Sequence, residues 1–519
     1  MAADGRVLGL EYKWVAAVTV MIGTFMTLLD TTIVDITLPK MISSLNTDTY
    51  GIQWVVISYM IGSAVAMTSV GWLGATLSYR TVYLLGFGLF VLCSALCGQA
   101  STLGFMVASR LFQGIGEGLV VPIAMTYLFL VFPKEEAGLA MGIYGLGASF
   151  APALGPTIGG IITEHLNWRW IFYVNLPVGA VGLAMALLLL REARPEGRRS
   201  WPFDWVGFTL LATALGSLIT FLSKGQEKGW LQSDMILGLV LLFAVSGAAF
   251  LLWERRCRHP VLHLGLFQER SFAISVVSLA LFSLTLYGVY FLLPLYMERL
   301  REWPTLTSGL ILLPGSVAMG CSLIVGGVLT DRWDPRPLGM ACILAFALAS
   351  FLFSGLDLYT PKARVAALFV LWGVAGGPLF PVLTTGGLSR LQEADVNMGS
   401  AIQNVSRLVA GSIGTAVATT VLARKQALFE NLLAARTDPS NVQLLFRWEQ
   451  VRHWAEMLSQ GGREAEAVAA ALFRAILQAK AGFMAFQATF QVMALMALAA
   501  LPLLIFFKVG PNRGTRAVH

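Results

Sequence analysis

Residues 26–39, MTLLDTTIVDITLP, carry two carboxylates, Asp30 and Asp35, beside the hydroxyls of Thr27, Thr31 and Thr32. They sit in an apolar run that begins near Trp14 and is long enough to cross a bilayer. A charged side chain at mid-membrane costs roughly 2.5–3.5 kcal/mol on insertion scales. A helix that only anchored the chain would gain nothing from that cost, so acids here point to a proton or cation pathway. Residues 109–118, SRLFQGIGEG, bring a second charged set. Arg110 and Glu117 stand two helical turns apart and share nearly one face. Both must turn toward a protein interior and find partners there. Asp30 is the expected partner of Arg110. Pairing favours the ionised acid and desolvation the neutral one, the balance a protonation switch requires. A fixed ion pair that only joins two helices is the competing reading. The proton-coupling set expected from these runs is Asp30, Arg110, Asp35 and Glu117.

The elements that hold these groups are membrane spans. Of 519 residues, 56% are hydrophobic and only 13% charged, with a mean hydropathy of +0.72. Soluble domains carry about 25% charged residues, so the chain reads as an all-α polytopic membrane protein. Apolar runs place fourteen helices at 14–35, 50–70, 82–99, 104–131, 139–162, 170–190, 205–222, 235–253, 272–295, 306–328, 338–356, 364–386, 398–422 and 484–507. An even count puts both termini on one side. The basic clusters at 191–199 and 255–258 fall on that same side, which makes the termini cytoplasmic. The net charge of +7 lies largely in loops and calls for no nucleic acid. Cys93, Cys97, Cys257, Cys321 and Cys342 show neither metal spacing nor a disulfide framework, and the N-terminus has no cleavable signal pattern. No phosphate-cradling loop, metal-ligand spacing or nucleophile–base pair is visible, so no cofactor or metal is expected and an enzyme is disfavoured. Transport would draw on an ion gradient, in which 100 mV is worth about 2.3 kcal/mol per charge.

Several spans carry further signals. Span 5, GLGASFAPALGPTIGG at 145–160, combines small residues with Pro152 and Pro156, as suits a kinked gate. Trp168, Trp170 and Tyr173 suit an interfacial aromatic belt. Arg407 in span 13 could bind substrate, pair with an acid or reach toward the cytoplasm. Trp54, Tyr59, Tyr287, Tyr290 and Phe291 suit either plain packing, the commoner reading of any one of them, or an adaptable apolar cavity, with Gln113, Asn404 and Arg407 as its polar groups. VGWLGATLSYR at 70–80 and VGGVLTDRWDPR at 325–336 form a faint repeat, as parallel halves of a transporter predict. The resulting division is 1–190, an insertion at 191–271 carrying spans 7 and 8, and 272–519. The segment 423–483 is expected outside the cell. It reads as two or three amphipathic helices, broken at Asp438-Pro439 and Gly461-Gly462, lying on the membrane or against a partner, or as a passive connector.

Together these residues resemble the major facilitator superfamily, in its fourteen-span drug:H+ antiporter family of EmrB/QacA type. LDTTIVDITLP is similar to that family's span-1 signature, RLFQGIGEG to its span-4 motif, ALGPTIGG to its span-5 antiporter motif and NWRWIFYVNLPVG to its segment at span 6. SRLVAGSIGT, LSKGQEKGW and LFQERSF resemble the EmrB branch most closely. The resemblance implies two six-helix bundles plus two inserted helices, with Asp30 coupling protons and Arg110 in the proton-transfer position. It places Gly155, Pro156 and Gly159 in one gating motif, and Gly71, Arg80, Asp331 and Arg332 in the two loop motifs. It implies proton-driven export of small hydrophobic drug-like compounds across the inner membrane by alternating access, while the extra acids Asp35 and Glu117 suit either a cationic substrate or a second protonation site. The branch further implies a periplasmic membrane-fusion adaptor and an outer-membrane channel. The chain departs from the family pattern at Ala75 and Ser78, where the loop motif has Asp and Gly, and at the extra acids Asp35 and Glu117. Export of an endogenous metabolite or lipid is one alternative; a non-transporting sensor or assembly partner is another.

Overall fold

The computed structural model describes residues 6–7, 10–48, 51–192, 202–435, 442–458 and 463–507. In lipid a backbone has only itself for hydrogen bonding, and the chain is accordingly almost wholly helical. The first seven helices are α1 (Tyr12–Met41), α2 (Trp54–Thr76), α3 (Tyr79–Gln99), α4 (Leu103–Val131), α5 (Ala137–His165), α6 (Trp170–Tyr173) and α7 (Asn175–Leu189). Then come α8 (Trp205–Lys224), α9 (Asp234–Glu254), α10 (Arg270–Arg299), α11 (Thr305–Arg332), α12 (Pro335–Leu352), α13 (Lys362–Gly376) and α14 (Leu379–Leu388). The last are α15 (Glu393–Ala435), α16 (Val442–Leu458), α17 (Arg463–Leu498) and α18 (Leu501–Ile505). Among the described residues the only strands are the two-residue pair Arg6–Val7 and Leu10–Glu11.

Thirteen helices among the described residues are long and apolar enough to cross a membrane. The 29-residue α5 occupies the place expected for the fifth span. Two expected spans are divided. The sixth parts at Val174, between α6 and α7, and the twelfth at Gly377-Pro378, where proline withholds a backbone N–H. The larger correction concerns 423–483. α15 is 43 residues long, about 64 Å at 1.5 Å per residue, roughly twice the hydrocarbon thickness. α15 therefore continues through 423–435 without a break, α17 already begins at Arg463, and α16 packs against α17. The segment stands up from the spans as a helical extension rather than lying along the surface. Its two expected breaks, Asp438-Pro439 and Gly461-Gly462, lie outside the described residues.

Position in the molecule follows apolar coverage. In an apolar 18-residue stretch of α4, 78% is buried, against 17% in such a stretch of α9, so α4 is an axial helix and α9 a peripheral one. α2 and α3 flank α4, α5 runs along α11, and α10 along α15. α8 pairs with α9 and rests on α2 and α15. Trp54 packs in that side cluster with Ile57, Leu211, Leu215 and Ile219, which takes it away from the central cavity expected for it. Of the proposed aromatic belt only Trp170 is an exposed large ring; Trp168 is buried under the Arg169 guanidinium at 4.3 Å.

Candidate functional site

α1 and α4 meet where their polar residues meet. The Arg110 Nη1 donates to Asp30 Oδ2 at 2.5 Å, with both side chains essentially sealed from solvent. Two amides donate to the other oxygen, Oδ1: Asn175 Nδ2 at 2.8 Å and Gln113 Nε2 at 3.3 Å. Gln113 Oε1 in turn accepts from Arg110 Nη1 at 2.9 Å, and Arg110 Nε reaches the Val55 carbonyl at 3.3 Å. Asn175 also donates to Ser94 Oγ at 3.0 Å, whose hydroxyl donates to the Phe172 carbonyl at 2.9 Å. The interruption at Val174 thus coincides with the turning of an amide into the core. The carboxylate is fully solvated by protein donors, which is what a buried charge needs to persist. Arg110 Nη2 is buried without an acceptor among the described residues.

A wall separates this network from a cavity of about 560 Å³. The Arg110 guanidinium lies 4.0 Å from the centre of the Tyr59 ring, whose hydroxyl donates to the Thr27 carbonyl at 3.3 Å. Tyr59 lines the cavity, whereas Asp30, Arg110 and Gln113 do not. The lining is drawn from both ends of the chain: Thr31, Tyr59 and Glu117 on one side, Tyr290, Phe291 and Arg407 on the other. Arg407 is buried and its Nη2 donates to Asn404 Oδ1 at 3.0 Å; among the described residues no acid pairs with it. It lines the cavity, and among the described residues no ion pair holds it.

At the loop end that carries 77–79, 132–137 and 333–335, the halves are joined. The Asp331 carboxylate at the end of α11 accepts the backbone N–H groups of Gly138 at 2.7 Å and Leu139 at 3.0 Å, in the first turn of α5. An acid at a helix N-terminus satisfies donors that otherwise lack partners. On the other flank Asn397 of α15 donates to the Val70 carbonyl of α2 at 2.8 Å, and Thr126 shares a hydrogen bond with Ser400 at 2.6 Å. Asn397 thus makes the cross-contact in the motif copy where Ala75 replaces an acid. The cavity reaches toward the opposite end, where Ser308 lies one turn into α11.

A family model, Major Facilitator Superfamily, matches residues 20–415. The chain belongs to that superfamily. It is 28% identical to the multidrug export protein EmrB of Escherichia coli strain K12, over 82% of this chain and 83% of that protein. It is 32% identical to the multidrug resistance protein Stp of Mycobacterium tuberculosis strain H37Rv, over 78% and 74% of the two chains. The human organic anion transporter MFSD10 shares the fold, with a TM-score of 0.58, 15% identity and coverage of 95% and 99%. The resemblance to the drug:H+ antiporter family holds, and the chain is a multi-span membrane transporter of multidrug type rather than an enzyme.

On this Major Facilitator scaffold, Tyr59, Tyr290, Phe291, Asn404 and Arg407 lie at the cavity as expected. Two assignments move. Gln113 belongs to the Asp30 network, because it follows Arg110 by one helical turn on the same face. Glu117, two turns along, reaches the cavity instead of that network. The Asp35 and Pro156 side chains lie outside the described residues. Gly155 and Gly159 face Thr32 and Ile33 of α1, and Gly71 faces Met398 of α15. Arg80 donates to the Leu187 carbonyl, and Arg332 is exposed at the end of α11. Sequence reasoning missed Asn175 and Asn397; an amide inside an apolar run was the available signal for Asn175, whereas Asn397 stands in the polar stretch just before the expected span 13. Removing the Asp331 carboxylate should free the Gly138 and Leu139 amides. Asp331→Ala is expected to speed their hydrogen exchange about tenfold or more, from loss of charged-acceptor bonds worth about 1.5–3 kcal/mol. Exchange at the wild-type rate would remove Asp331 from the closing contact.

Proposed function

We propose that the chain exports small hydrophobic compounds, cationic ones among them, in exchange for protons by alternating access. The observation that carries this reading is one ring, Tyr59, with the Arg110–Asp30 pair behind it and the substrate-sized cavity in front. Protonation of Asp30 removes the charge that holds Arg110. Released from the carboxylate, Arg110 moves against Tyr59, and the cavity wall changes with it. Substrate pressing on Tyr59 from the cavity works the same coupling in reverse. The halves 1–190 and 272–519 rock about the cavity, with 191–271 riding beside them. The joined loop end is cytoplasmic on the proposed topology, so this state presents its cavity outward, and the membrane is the inner one. The names of EmrB and Stp support the multidrug reading.

The test is direct. Ethidium added to the purified protein in weak buffer is expected to release protons, read with a pH dye; no release at saturating ethidium would overturn proton exchange. Glu117 is the acid on the cavity wall, so Glu117→Gln should weaken ethidium binding about 10-fold or more, since a charge-assisted contact is worth about 1.5–3 kcal/mol. A neutral hydrophobic substrate should bind within about twofold of wild type, for it never used that charge. Equal losses for both would assign Glu117 to structure.

For partners, the helical extension of α15, α16 and α17 exposes Leu428, Leu432, Trp454, Met457 and Ile476. Apolar groups exposed beyond the bilayer suit a docking face. We assign it to a periplasmic adaptor that leads to an outer-membrane channel.

A further inference from the structure

A second cavity, of about 340 Å³, opens far from the central one, between the first turns of α10 and α12 and the last helix, α18. Its wall combines Arg270 and Arg336 with Phe267, Ile274, Ile505 and Phe506. Arg270 is the first residue of α10 and Arg336 the second of α12, so both cations stand at helix starts, where backbone N–H groups also favour an anion. Neither guanidinium has a hydrogen bond or ion pair among the described residues, and the Arg336 Nε is buried without an acceptor. The nearby acids are already engaged. Asp334 Oδ1 accepts the Arg336 backbone N–H at 3.0 Å, and Glu269 faces Arg390 at 3.8 Å. Ile505 is 63% and Phe506 71% exposed, and both line the same cavity as the two arginines.

We propose that this groove holds an anionic phospholipid, with its phosphate between Arg270 and Arg336 and an acyl chain across Ile505 and Phe506. A buried donor without a partner costs free energy that a phosphate oxygen recovers. Guanidinium groups match phosphate geometry in pairs. The apolar half of the wall separates a lipid from a free oxyanion, which has no use for it. A basic pocket between spans at the end bearing the basic loops meets the anionic leaflet. The site shares no lining residue with the central cavity, and its place at the anionic leaflet rests on the cytoplasmic topology proposed above.

The experiment is native mass spectrometry of the full chain released from micelles that contain phosphatidylglycerol and phosphatidylcholine in equal amounts. Wild type is expected to retain phosphatidylglycerol in preference. Arg270→Gln with Arg336→Gln should lower retention about 25-fold, from about fivefold per basic residue at an anionic surface. Arg270→Lys with Arg336→Lys keeps the charges and should recover most of it. Equal retention by wild type and the double glutamine variant would overturn the proposal. So would displacement of the lipid by millimolar inorganic phosphate, which would identify a free-anion site. Ethidium-induced proton release should be measured on the same samples, so that loss of the lipid and loss of transport are read separately.

Discussion

Asp30→Asn is expected to abolish proton release on substrate addition and to reduce uphill export to downhill leakage, while ethidium still binds. For a neutral substrate exchanged for one proton, 100 mV supplies about 2.3 kcal/mol, enough for a concentration ratio of about 50, whereas a singly charged cation exchanged one for one moves no net charge and draws on the pH difference alone. The variant should bring that ratio toward one. Binding should survive because Asp30 does not line the cavity; Tyr59 stands between. The substitution also leaves Arg110 as a buried cation facing an amide, and breaking a buried pair costs about 3–5 kcal/mol. Asparagine keeps a carbonyl oxygen for Arg110, so the loss should fall toward the lower end of that range. Asp30→Asn with Arg110→Gln removes the stranded charge and should recover thermal stability without recovering proton release. That split separates a coupling acid from a structural staple. An Asp30→Asn protein that still released protons with ethidium would move the coupling site elsewhere, with Glu117 the next acid to test.

The Asp30–Arg110 pair was legible because its chemistry is expensive: a charge in an apolar run needs a reason and a partner, and the chain offers few of each. Direction around a helix was harder to read. Arg110, Gln113 and Glu117 share a stripe, yet a stripe that wide spans both the α1 contact and the cavity wall. Trp54 looked like a cavity ring because hydropathy cannot tell a face that meets α8 from one that meets open space. The ends of α15 and α17 were misplaced for a related reason. Falling hydropathy marks where a helix leaves lipid, not where it stops, and ARKQALFENLLAA keeps helical periodicity beyond that point. Asn397 could not be assigned to its task at all. Its partner is a backbone carbonyl some three hundred residues earlier, and backbone acceptors leave no trace in a sequence.

Gly327→Val is expected to stop export by keeping the α5–α11 seam from closing. A Cβ at Gly327 would stand 2.3 Å from the Gly138 carbonyl oxygen, and one at Gly138 would stand 2.3 Å from the Gly327 carbonyl oxygen. Both obstacles are backbone, so no side-chain rotation relieves them, and the helices must part. Overpacking of this kind costs about 1–3 kcal/mol, which displaces the equilibrium between the closed and open seam by about 5–150-fold. A state in which the halves are parted at this end need not unfold, because α5 and α11 each keep their own hydrogen bonds. Thermal stability should therefore drop little, whereas the Gly138 and Leu139 amides should exchange faster as Asp331 loses its hold on them. Gly320→Ala supplies the control on the same helix, since its Cβ would meet only the Leu146 side chain, at an ordinary 3.5 Å. It should export normally. If Gly327→Val also exported at the wild-type rate, the helices would have to rock about some other line of contact, and the seam between α2 and α15 at Asn397 would be the place to look.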